Sequence, residues 1–250
     1  MRPAAVLALL ALTGCTAEPA ARAAKPDLAL LTSLPIMFGE RFGLEAAKSP
    51  LLEELEAEFA VRPIDGPGQL ARGGLLLAVQ PQALTAERLV ALDKWVRAGG
   101  RLLLLADAFL AFESSRPLGD RFRPPLRYPD TGLLAHWGLS LDDDTDSRLG
   151  QVDTDLGRGI RIRAARLGSL TRAGGQCTLS PTRVVARCRI GKGYATIVAD
   201  ADFAILPELG RDDQKAVVAL LAELQRNSSP DLPVTPGLTR GLPAFGDGWK

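Results

Sequence analysis

Unbroken apolar runs, rather than alternating ones, dominate the pattern of this chain. Residues 27–34 (DLALLTSL), 75–79 (LLLAV), 101–107 (RLLLLAD) and 194–200 (YATIVAD) are apolar for most of their length. Strands of this kind are buried on both faces, as in a parallel sheet. Helical spacing lies between them. Ser49-Pro50 opens one helix, with Ser as N-cap, Pro in the first turn and Glu53 and Glu54 early in it. Leu51, Leu52, Leu55 and Phe59 line one face of that helix. Residues 60–64 form a short strand, which Pro63 confines near a sheet edge. Asp65-Gly66-Pro67-Gly68 is a turn. Thr85 caps a second helix, with Glu87 in its first turn and Leu89, Leu92 and Val96 facing inward beside Trp95. It stops at Gly99-Gly100, because glycine accepts the left-handed conformation that ends a helix. The next strand follows at once, giving a strand–helix–strand unit with an expected right-handed crossover. Residues 27–107 therefore predict a doubly wound, mostly parallel α/β sheet.

Beyond residue 107 the pattern loosens. Residues 109–130 hold four Pro and four Arg without periodicity, and read as an exposed insert. A short helix at 132–139 carries His136 and Trp137, and 142–146 is a solvated acidic turn. Residues 149–190 break into short β-like pieces at 159–163, 177–179 and 183–190, a small antiparallel insertion. Ile160-Arg161-Ile162-Arg163 alternates, as a half-exposed strand does. Gly191-Lys192-Gly193 is a turn into the strand at 194–200. A last helix at 209–225 runs through Val217, Val218, Leu221 and Leu224. Residues 27–226 thus read as one α/β domain, and 227–250, punctuated by Gly and Pro, as an irregular tail.

Composition refines this picture in two places. Apolar residues make up 46%, enough for a core, but aromatics only 5%, so Leu, Ala and Val must fill it. The net charge of +1 argues against a nucleic-acid binder, which would show a basic excess. Arg outnumbers Lys 24 to 6. That fits either anion recognition or a general bias that also enriches Ala, Gly, Leu and Pro. Five Arg without an acid between 158 and 172 mark a candidate anion-facing surface.

The chemistry on offer is carboxylate chemistry. Asp107, Asp200 and Asp202 fall just past the carboxyl ends of predicted parallel strands, where doubly wound folds place ligands. Two such groups brought together could bind a cation or a sugar, or serve as acid and base. Alternatively, Asp200 and Asp202 cap the segment that follows. Glu40 is a fourth candidate, in the Gly-containing loop after the first strand. A nucleophile–base site finds little material. The elbow at 106–109 reads ADAF, and the lone imidazole, His136, sits beside Trp137 as a structural side chain would. Gly191-Lys192-Gly193 precedes a strand, so it is no phosphate loop. No zinc spacing occurs, and neither metal nor cofactor is expected.

The amino terminus carries a resemblance. Arg2, the apolar stretch 4–13 and then Leu12-Thr13-Gly14-Cys15 resemble the signal and lipobox of bacterial lipoproteins. The run is about half the ~20 residues a spanning helix needs. The resemblance implies a signal peptide at 1–14, acylation of Cys15 and a tether at 15–26. It further implies an exported, periplasm-facing protein held in the membrane by two or more acyl chains. Thr16, where an Asp would favour inner-membrane retention, leans toward the outer membrane. With Cys15 lipidated, Cys177 and Cys188 remain as a pair in a compartment that permits a disulfide. The turn Ser180-Pro181-Thr182 and the β-rich run after it suit a bridged hairpin. A metal or catalytic thiol is the alternative, without a CxxC to support it.

Three further segments resemble a second family. Residues 80–85 (QPQALT), 92–107 (LDKWVRAGGRLLLLAD) and 191–203 (GKGYATIVADADF) are similar to gliding-motility-type ABC-transporter auxiliary domains. Those are related to class I glutamine-amidotransferase-like sheets, here without the catalytic Cys. This resemblance implies a flavodoxin- or amidotransferase-like extracytoplasmic domain with a possible transporter partner. The leading expectation is a non-catalytic binding or scaffold domain in the cell envelope, meeting the membrane through Cys15, with an envelope protein or transporter as its partner. The competing one is a hydrolase using Asp107, Asp200 or Glu40 on an envelope glycan or ester.

Overall fold

The computed structural model describes residues 24–40, 48–143, 152–206, 209 and 211–226. The expected signal peptide, Cys15 and the tail at 227–250 lie outside the described residues.

The chain is mixed α/β, built on a mostly parallel central sheet. It opens with β1 (Asp27–Thr32), α1 (Pro50–Glu58) and β2 (Ala60–Pro63). Ser49 caps α1, its hydroxyl accepting the Leu52 N–H at 3.1 Å. Next come β3 (Leu75–Val79), α2 (Ala86–Arg97) and β4 (Arg101–Leu105). Thr85 caps α2 through the Arg88 N–H. A long excursion then carries α3 (Leu133–His136), β5 (Leu139–Asp143), β6 (Val152–Gly157), β7 (Ile160–Ala164), β8 (Gly168–Arg172), β9 (Cys177–Leu179) and β10 (Val185–Ile190). It returns as β11 (Gly193–Val198), followed by α4 (Arg211–Arg226).

The sheet order is β2-β1-β3-β4-β11-β10-β9. Its first five strands are parallel, and β10 and β9 add an antiparallel edge. Every residue of β3 is buried, as an unbroken apolar run in a central strand requires. β2 forms the opposite edge, where Pro63 costs no ladder bond. α1 packs on α4, and α4 lies over β3, β4 and β11. α2 approaches β11 so closely that a Cβ at Gly193 would sit 2.1 Å from the Val96 carbonyl oxygen. Leu, Val, Ala and Ile fill most of the core, with Phe59, Trp137 and Phe203 among the few aromatics. No helix among the described residues is long and apolar enough to cross a membrane.

The expected antiparallel insertion divides into three parts. β6 and β7 form one hairpin and β5 pairs with β8, each as a two-stranded sheet. β9 and β10 instead extend the central sheet, because the turn at Gly191 lays β10 directly against β11. β6 (VDTDLG) and β8 (GSLTR) hold too few apolar residues to be read as strands, and pairing with neighbours defines them. Leu139 to Asp143, expected as a helix end and an acidic turn, is a strand for the same reason. Residues 109–130 have neither helix nor strand, yet they are not simply exposed: Leu110 is buried and the segment crosses the carboxyl ends of the strands. Cys177 and Cys188 stand directly opposite each other on β9 and β10 and form a disulfide.

Candidate functional site

Strand register brings three of the candidate carboxylates together. Leu105 lies opposite Val198 in the parallel pair β4–β11. Two residues further on, Asp107 and Asp200 therefore leave the sheet at one level, and Asp202 follows in a 3-10 turn, Asp202–Ala204. Their exposures are 1%, 0% and 0%. Asp107 Oδ1 accepts the Phe109 N–H at 2.8 Å, and its Oδ2 accepts the Ala201 N–H at 3.0 Å. The Asp202 carboxylate accepts the Ala111 N–H at 2.8 Å and the Phe112 N–H at 3.1 Å. Asp200 Oδ1 accepts the Phe203 N–H at 3.2 Å, within its own turn. Asp200 Oδ2 is buried without a hydrogen bond. Asp107 and Asp202 thus tie the insert after β4 to the turn after β11.

Gln80 belongs to the same knot, and the sequence reading passed over it. Its side-chain oxygen accepts the Asp107 N–H at 2.8 Å, and its side-chain nitrogen donates to the Pro125 carbonyl at 3.0 Å. Its own N–H donates to the Leu105 carbonyl at 2.9 Å, while its carbonyl accepts the Ser33 hydroxyl. The backbone there has φ of 40°, uncommon for a residue with a side chain. Four hydrogen bonds from one buried residue hold that conformation in place. The available signal was a polar residue directly after an apolar strand, followed by Pro81.

Burial sets the electrostatics. It raises the Asp107 pKa, with the nearby Asp202 charge adding to it, from 3.8 to about 7 against the pull of the backbone N–H groups. Asp200 is raised well above the usual carboxylate range by burial and then by the charges of Asp107 and Asp202. Such a cluster retains protons that exposed carboxylates release. None of the three lines the cavity beside Glu40 or the recess beside His136.

Glu40 sits apart from them. It lines a cavity of about 470 Å³ at the carboxyl ends of β1 and β2, with Thr32, Ile64, Phe38 and Arg116. Its carboxylate accepts the Ser115 N–H and hydroxyl, both at 2.6 Å, and the Ser114 hydroxyl. Burial pulls its pKa up, but the two serines and the Arg116 charge outweigh that and hold it below the usual value. It is therefore a fixed negative charge, poorly matched to proton transfer near neutrality.

His136 lies at the other end of the sheet. Its Nε2 is 3.2 Å from Arg97 Nη2 and 3.7 Å from Asp93 Oδ1, next to the start of β4. Asp93 also accepts the Trp137 indole N–H at 2.8 Å. The elbow and the imidazole are not brought together. No group of three or more His, Cys, Asp or Glu that could hold a metal occurs among the described residues. The arginine-rich stretch finds acids from elsewhere in the chain: Arg158 pairs with Glu223, Arg163 with Asp213 and Arg166 with Asp143.

The chain belongs to the family described as a domain of unknown function, DUF4350, whose model matches residues 47–222. No curated protein sequence matches it. Among solved structures it is similar to the mmIFT52 N-terminal domain, at 11% identity and a TM-score of 0.49, over 83% of this chain and 100% of that one. It is also similar to the exo-β-1,4-mannosidase Op5Man5 from Opitutaceae bacterium strain TAV5, at 15% identity and a TM-score of 0.41, over 82% of this chain and 34% of that one. A catalytic mutant of Gan42B, a GH42 β-galactosidase from G. stearothermophilus, shares 15% identity at a TM-score of 0.49, over 80% of this chain and 30% of that one. The chain spans about a third of the length of these two glycosidases. Likenesses this remote carry no argument about activity.

Proposed function

We propose that this DUF4350 member is a non-catalytic binding or scaffold domain of the cell envelope, exported and tethered by lipid at Cys15. The observation that supports it most is how the strand-end carboxylates are spent. Asp107 and Asp202 hold the backbone N–H groups of residues 109, 111, 112 and 201, so the elbow after β4 serves as a clasp between loops. A hydrolase working through Asp107 or Asp200 would need these groups in contact with substrate, and the segments they clasp stand in the way.

Strand order supports the finer fold reading. With β11 as fifth strand, β2-β1-β3-β4-β11 follows the flavodoxin-like order 2-1-3-4-5. Right-handed crossovers to either side of β1 and β3 would put α1 and α2 on opposite faces, a doubly wound sheet. The cavity beside Glu40 then lies where such sheets take ligands. The tether rests on the lipobox-like Leu12-Thr13-Gly14-Cys15 and favours the outer membrane, with an envelope protein or a transporter component as partner. Mass spectrometry of the mature amino terminus, after membrane fractionation, tests it. An acylated Cys15 in the membrane fraction is the expected result; a soluble chain starting at another, unmodified residue overturns the proposal.

A further inference from the structure

The antiparallel edge of the sheet reaches past the helix layer. α4 covers β3, β4 and β11, and its last turn, with Leu224 and Arg226, forms one wall of a groove over β10 and β9. Register decides what faces that groove. In β10, Arg187 and Arg189 alternate with the buried Ala186, Cys188 and Ile190. Thr178 lies opposite Arg187 on one side and Thr196 on the other. Tyr194 lies opposite Arg189, whose N–H donates to the Gln176 carbonyl at 3.0 Å. Two polar rungs result, Thr178–Arg187–Thr196 and Gln176–Arg189–Tyr194. Arg187 donates to Glu223 of α4 at 2.7 Å, which fixes this face as the groove side. The Cys177–Cys188 bridge staples the two outer strands and keeps the floor rigid, lowering the ordering cost of any ligand.

The β6–β7 turn adds to the lining through Gly157 and Arg158. Gly157, Arg158 and Gly159 all have positive φ, at 86°, 57° and 79°. Arg158 adopts this uncommon conformation at the groove, its Nη1 3.2 Å from Glu223 Oε1. A Cβ on Gly157 would reach 3.4 Å from Arg187 Nη1, so the turn closes tightly over that side chain.

The groove encloses about 880 Å³, and among the described residues its lining includes four arginines, Arg158, Arg187, Arg189 and Arg226, with no acid. Buried Glu223 lies behind them and pairs with both Arg158 and Arg187. One carboxylate leaves two guanidinium groups half-compensated. Arg189 and Arg226 form no ion pair among the described residues. The groove therefore carries a net positive charge, with uncharged hydrogen-bonding groups between its cations.

We propose that this groove binds an acidic oligosaccharide. The arginine forks match carboxylate, sulfate or phosphate oxygens, and Thr178, Gln176 and Tyr194 match the ring hydroxyls between them. A single-stranded nucleic acid is a poorer fit, because it uses successive aromatic rings for its bases and Tyr194 is the only aromatic ring among the described lining residues. A peptide that extends a sheet pairs its main chain with an edge strand, whereas this groove lies on a sheet face lined by side chains. The groove is the same whether or not Cys15 carries lipid.

Calorimetric titration of the full chain tests the proposal. The probes are tetragalacturonate, a sulfated heparin-derived tetrasaccharide and a phosphate-bearing glucosamine disaccharide, with maltotetraose as neutral control. At least one acidic probe is expected to bind with a dissociation constant below about 1 mM, weakening as salt rises. The double variant R189E/R226E, at two exposed positions outside the described ion pairs, is expected to lose about tenfold in affinity with an unchanged melting temperature. Three results overturn the proposal: no acidic probe binds; maltotetraose binds as tightly; or the double variant binds like the native chain. Equal binding of a tetra-aspartate peptide or of oligothymidylate, lost in the same variant, overturns the saccharide assignment.

Discussion

The carboxyl ends of the central strands and the antiparallel edge both gather charge, and they settle it in opposite ways. At the strand ends, Asp107, Asp200 and Asp202 are closed off from solvent and bound largely to backbone N–H groups. Burial penalises their ionised forms, so the cluster drifts toward neutrality and becomes scaffold. At the edge, guanidinium groups outnumber the carboxylates that face them and stay partly wet. An arginine cannot discharge itself by losing a proton, so its charge remains available to a ligand. Position past a strand end, the feature that usually marks a site in this architecture, is here less informative than the remaining hydrogen-bonding capacity of the groups found there.

The sharpest way to break this contrast is Asp107→Ala. It strips partners from the N–H groups of Phe109 and Ala201 inside a closed site, and should cost about 3–4 kcal/mol in urea unfolding. A loss below about 1 kcal/mol would mean that the loops hold without the clasp.

A pH series probes the same cluster without mutation. Burial and Asp202 raise Asp107 from 3.8 to about 7, and Asp200 is raised too. The native state therefore keeps protons that the unfolded chain releases above about pH 4. This stabilisation is complete below that value and disappears as the pH rises through about 7. Urea midpoints should fall between about pH 5 and pH 8, and Asp200→Asn should flatten the fall. A flat native profile would remove the basis for raised carboxyls.

At the edge, Glu223→Gln leaves half-buried Arg187 and its neighbour Arg158 without a counter-charge. A loss of about 3 kcal/mol is expected by the same measurement. The double change C177S/C188S opens a closed loop with a sequence separation of 11 and should cost about 2–3 kcal/mol. The smallest effect belongs to Arg189→Ala. With no described ion pair to lose, its stability should stay within about 0.5 kcal/mol of the native chain. A larger drop would place Arg189 in the scaffold and erase the distinction between the two regions.

Much of the central sheet is legible in the amino-acid sequence. The runs behind β1, β3, β4 and β11 were strands as read, and so were the caps at Ser49 and Thr85 and the stop at Gly99-Gly100. Those signals are local: a buried strand needs an apolar run, and a helix start needs a side-chain acceptor. The Cys177–Cys188 bridge was legible too, from two cysteines that flank turn chemistry and a β-rich run. β5, β6 and β8 were not, because short, half-polar strands draw their stability from cross-strand partners that a linear pattern does not contain.

The candidate site divides along the same line. That Asp107 and Asp200 fall at strand ends follows from the order of residues, since any carboxylate two positions beyond a buried strand emerges at the rim of the sheet. Whether such a group faces solvent or backbone depends on which distant loop arrives there, and residues 109–112 arrive from the β4 side to use it up. Gln80 acquires its role for the same reason, through Pro125 and Ser33, far from it along the chain. The arginine excess at 158–172 was visible as charge, but its compensation by Asp143, Asp213 and Glu223 was not. Periodicity and turn chemistry act over a few residues and can be read along the chain. Burial, proton retention and charge balance act through space, and only the packed sheet brings those partners within reach.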